Sequence, residues 1–155
     1  MATTDLRFEA FYPHAPARVW LALTDAHLIE AWLLPNDFLP KIGHFFTFRA
    51  RPQPGFDGVI HGEVIECHAP HRLGYKWSAS GLATRVHWTL TAHPGGGTDV
   101  VLEHDGFIGM KGLIARPVAE KNWSRLVLPV RLRAVLDALD EGGRLPEGTA
   151  VPPLR

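Results

Sequence analysis

The chain is short of the features that would commit it to several common roles. It has one cysteine, Cys67, so no internal disulfide can form and folding does not call for an oxidising compartment. Neither sign of charge is in excess, because 16 Lys plus Arg balance 16 Asp plus Glu. A protein that grips phosphate backbones shows a basic surplus, so nucleic acid is not an expected partner. No stretch reaches the roughly 20 apolar residues that a membrane span needs. The opening Met1-Ala2-Thr3-Thr4-Asp5 lacks the basic segment and apolar run of a secretory leader, which makes the cytoplasm the expected address. Internal repeats are missing too, and the only biased stretch is Gly- and Pro-rich, after Asp140.

What is there reads as one folded unit. A length of 155 residues suits a single core, and 46% apolar residues excludes wholesale disorder. We expect one domain over residues 1–140 and a tail over residues 141–155.

Leu6, Phe8 and Ala10 alternate with Arg7 and Glu9, the pattern of a strand. Pro13 and Pro16 end it and open a helix carrying Val19, Trp20 and Leu23; Thr24-Asp25 then starts a second short helix over about Ala26 to Leu33. From Ile42 to Asp105 the period becomes two, in runs separated by turns at Ala69-Pro70, Ser78 to Gly81, and Pro94-Gly95-Gly96-Gly97. Consecutive hairpins of this kind make an antiparallel meander, not parallel units. Helical spacing returns from about Ala119 to Asp140, with two apolar stripes, Trp123/Leu126/Val127/Val130 and Leu128/Leu132/Val135/Leu139. Pro129 inside that helix should bend it and leave a carbonyl near Arg125 without its partner. The class is therefore α+β.

The order is one strand, two short helices, a meander and a long C-terminal α-helix. It resembles the helix-grip (START/Bet-v-like) fold, a curved antiparallel β-sheet around that helix. Particular residues carry the likeness further. Ala15-Pro16-Ala17-Arg18-Val19-Trp20-Leu21-Ala22-Leu23-Thr24-Asp25, then Trp32, the segment Gly62-Glu63-Val64 through Pro70, Arg72-Leu73, Tyr75 and Lys76-Trp77, and Gly97-Thr98 followed by Leu102 to Phe107 resemble the activator homologues of the heat-shock chaperone ATPase (AHSA-type domains) in the START-like (SRPBCC) superfamily. The likeness runs from about Leu6 to Leu139. It departs at Leu33, where the family often has a second tryptophan, at His44 after Gly43, and at Pro117 and Pro129.

The resemblance implies a pocket between the sheet and the last helix. Relatives include lipid carriers, aromatic polyketide cyclases, plant hormone receptors and pollen allergens. The expected lining is Phe46, Phe48, Tyr75, Trp77, Trp88, Val100, Leu102, His104, Phe107, Trp123 and Val127. Tryptophan suits such walls because it joins a large apolar body to one N–H.

Few residues offer chemistry. Alternation puts His104 on the face of Val100 and Leu102, where it could bond a ligand oxygen or act as acid or base, or else hold nearby backbone. Glu103 and Asp105 fall on the opposite face. His68 and His71 flank a turn without zinc-site spacing, so no metal or other cofactor is expected. Ser78 and Ser80 lack a nucleophile elbow, and the glycines at 95–97 precede a strand, not a phosphate-binding helix. With a single inward titratable group, we expect a module that binds or carries a small hydrophobic, aromatic or lipid-like molecule. The first alternative is a cyclase or dehydratase using His104, and the second is a protein-interaction module of co-chaperone type. Pairing with a second copy stays open.

Overall fold

The computed structural model describes residues 4–151; the last four residues of the expected tail lie outside them. Strand β1 (Thr4–Tyr12) ends before Pro13, and Pro16 occupies the first turn of α1 (Pro16–Thr24), where its missing N–H costs nothing. Asp25 serves both short helices. Its N–H bonds the Leu21 carbonyl at the end of α1, and its carboxylate accepts from Leu28 N–H at 3.1 Å, capping α2 (Ala26–Trp32).

The meander follows as β2 (Phe45–Arg49), β3 (Val59–His68), β4 (Arg72–Ala79), β5 (Leu82–Ala92) and β6 (Thr98–Phe107). All pairs are antiparallel and the sheet order is β1-β6-β5-β4-β3-β2. Register follows the apolar alternation: Phe8 stands opposite Leu102, Leu102 opposite Trp88, and Trp88 opposite Leu73, all on one inner row. The β4–β5 turn is tight. Ser80 and Gly81 take φ of 52° and 80°, the left-handed pair that matches strand twist in a two-residue hairpin. The sheet curves around the last helix, and the helix-grip architecture read from the element order is the one present.

The last helix is longer than its expected start at Ala119. It runs as α3 (Gly109–Lys121), a π-helical stretch (Asn122–Leu132) and α4 (Arg133–Ala138). Gly109, Gly112 and Pro117 are poor helix formers and mask the helical spacing of the apolar residues among them, which face solvent. Pro129 is accommodated by a change of register. In a π-helix an N–H bonds the carbonyl five residues back. The carbonyl that the proline deprives is then that of Ser124, not that of Arg125.

The two ends of this helix are held differently. Arg131, buried in spite of its charge, donates from Nε to the Trp32 carbonyl at 2.9 Å and from Nη2 to the Ala31 carbonyl at 3.1 Å. Arg18 donates to the carbonyls of Leu139 and Asp140. These bonds tie the C-terminal half to α1 and α2, and beyond it Leu145 and Val151 pack on the core. At the other end Gly112 is the one buried residue of α3, and its missing side chain lets the helix lie on the Phe107 backbone. Among the described residues no helix is long and apolar enough to cross a membrane.

Candidate functional site

Ten of the eleven side chains expected to line a pocket are buried, and Trp77 is half-buried. They meet as rings in two connected groups. In the first, Trp123 from the π-helical stretch lies 5.7 Å from Trp77, 5.8 Å from Trp88 and 6.3 Å from His104, centroid to centroid. Phe107 lies 4.6 Å from His104. In the second, Phe46, Phe48 and Tyr75 gather with Phe38; Gly62 makes room, because a Cβ there would sit 2.3 Å from the Phe46 ring. Phe48 joins the groups through Trp77 at 5.2 Å. Val100, Leu102 and Val127, all 1% exposed or less, complete the interior.

His104 is at the centre of the first group and fully engaged. The indole N–H of Trp123 can only donate, so His104 Nδ1 accepts it, at 3.1 Å. Burial pulls the His104 pKa from 6.5 down to about 3, so the ring is neutral and carries its proton on Nε2. Nε2–H then donates to Thr84 Oγ1 at 2.8 Å, and the Thr84 hydroxyl donates to the Trp77 carbonyl at 2.6 Å. Every bond in this chain has a donor and an acceptor, which is what a buried polar group needs to avoid a desolvation penalty. Tyr75 is the other buried polar group of the wall: its oxygen accepts from Trp88 Nε1 at 3.0 Å, and burial pushes its ionisation above the usual phenol range.

Glu103 and Asp105 do face away from His104, and His68 and His71 are exposed. Among the described residues no three His, Cys, Asp or Glu side chains gather as metal ligands. Three participants escaped sequence reasoning. Thr84 precedes Val86, Trp88 and Leu90 at period two, so extending that alternation backwards would have found it. Arg131 reads as surface by charge alone, and Phe38 lies outside every periodic run. Among the described residues, open hollows of about 440 and about 570 Å³ lie on the surface, one between Leu82 and Met110 at the start of α3, the other between β1 and Pro129.

A curved sheet gripping a long last helix over an aromatic interior defines the START-like class. Residues 13–137 match the family described as Activator of Hsp90 ATPase homolog 1-like protein, and the chain belongs to that family. The structure is similar to that of protein MLL2253 from Mesorhizobium loti, with TM-score 0.76, 31% identity, and coverage of 88% of this chain and 99% of that one. Two more distant likenesses bear on fold alone. One is to DynU16, from the dynemicin biosynthetic locus, with TM-score 0.69, 22% identity, and coverage of 86% of this chain and 47% of that one. The other is to an Hsp90 activator from Plasmodium falciparum, with TM-score 0.65, 19% identity, and coverage of 80% and 90%. No curated protein matches the sequence.

Proposed function

We propose that this protein binds a small apolar molecule with a flat aromatic part between its sheet and the last helix, and holds it without converting it. Trp123 carries the reading. It fills the middle of the aromatic wall, yet it stands on a π-helical stretch. π-helical turns are rare, cost stability relative to α-helix and concentrate at functional sites. A wall whose central ring rests on such a turn is one whose ring can give way to a ligand of the same shape. The neighbouring rings, Trp77, Trp88 and Phe107, offer stacking partners for it.

The cyclase alternative needs a free acid or base, and both His104 nitrogens are taken. The binding domain in this reading is residues 1–140, with the cytoplasm as its compartment.

Native mass spectrometry of the purified protein, together with melting curves against naphthalene- and indole-based probes, tests the reading. A ligand at about a hundred times its Kd adds about 2.7 kcal/mol, which for a chain of this length raises Tm by about 5–10 °C. No co-purifying mass and no shift with any aromatic probe would discard it.

A further inference from the structure

We infer that α3 is a docking face for an anionic lipid surface. Met110, Leu113, Ile114 and Val118 are 71, 69, 67 and 60% exposed and follow one another at helical spacing of three and four residues, with Ile108 just ahead of the helix at 50%. Apolar residues in a contiguous exposed stripe mark a contact surface, unlike apolar residues scattered singly. Among the described residues nothing covers this one, since α3 touches the domain through the opposite side, at Gly112.

Charge selects the occupant. The whole chain is neutral, but α3 carries Lys111, Arg116 and Lys121 against the single acid Glu120. Glu120 is engaged by Arg116, at 3.9 Å, which leaves the two lysines as the helix's uncompensated charges. Lys111 reaches the Ser80 carbonyl at the β4–β5 turn and remains exposed. Lys121 stands in line with Met110, Ile114 and Pro117, so it belongs to the stripe. A dry seam with a second copy would bury that ammonium twice. At a bilayer surface its stem lies among acyl chains while its charge reaches the phosphates. An amphipathic helix with an apolar stripe and a basic border is the form that lies in the headgroup layer of anionic membranes. This inference is independent of the ligand reading.

The test is co-sedimentation of the intact protein with vesicles of phosphatidylcholine alone and of phosphatidylcholine with about one third phosphatidylglycerol. Binding to the anionic vesicles should exceed binding to the neutral ones about tenfold at low salt, and should fall away at about 0.5 M salt, where the screening length drops to a few ångströms. Leu113→Glu and Ile114→Glu should each abolish it with Tm unchanged, because both side chains are exposed. Lys121→Gln should weaken it about fivefold. Failure of the wild type to bind anionic vesicles overturns the inference, and so does binding that survives Ile114→Glu. A wild-type dimer in light scattering that Ile114→Glu splits, without vesicle binding, assigns the face to a second copy instead.

Discussion

Trp123→Ala should lower the unfolding free energy by about 3–5 kcal/mol, the usual cost of truncating a buried tryptophan, and indole should restore most of it. The residue is 3% exposed and touches Trp77, Trp88 and His104 at once. Its removal leaves a ring-shaped hollow and strips His104 Nδ1 of its donor. Indole supplies both the ring and the N–H, so at about a hundred times its Kd it should return about 2.7 kcal/mol. At the same concentration naphthalene, which supplies the ring alone, should fall short by about 1 kcal/mol, the worth of one hydrogen bond. Urea titrations with and without each compound make the measurement. If neither compound stabilises the variant, the wall closes on itself and does not receive flat ligands.

Acid should destabilise the protein well above the carboxylate range, through His104. In the fold its pKa is pulled down from 6.5 to about 3; in the unfolded chain it takes its proton near pH 6.5. Between these values the unfolded state holds the extra proton. Stability is therefore fully present above pH 6.5 and is lost as pH falls through that value towards 3. Integrated from pH 7.5 to 5, the loss is about 2 kcal/mol. His104→Gln keeps an acceptor for Trp123 and a donor for Thr84 but cannot titrate, so its stability should change less over the same interval by that amount. Equal slopes for the two proteins in urea titrations at pH 7.5 and 5 would place the proton-sensitive group elsewhere.

Period two was the most legible signal in the sequence. The runs through Val86-Trp88-Leu90 and Val100-Leu102-His104 set the inner face, and the structure buries all six. The start of the last helix was harder to read for a physical reason: Met110, Leu113, Ile114 and Val118 keep helical spacing, but Gly109, Gly112 and Pro117 among them argue against a helix. Pro129 announced that the α-helical ladder must fail, but not that the chain would answer with a π register, since the answer depends on what Trp123 and Leu128 pack against. The rings around Tyr75 were readable as apolar and aromatic. Their grouping with Phe38 was not, because residues 33–44 have no period from which to assign a face. The closed chain from Trp123 to His104 to Thr84 joins three elements distant in sequence, and no local pattern encodes such a join.

The last helix behaves as a beam fixed at one end. Arg18 and Arg131 clamp its far half, while its near half rests on Gly112. Between the two halves lies the π-helical stretch that holds Trp123. The same asymmetry grades the amide protons: those before Asn122 should exchange with solvent orders of magnitude faster than those after Leu132, because opening the free arm exposes almost no core.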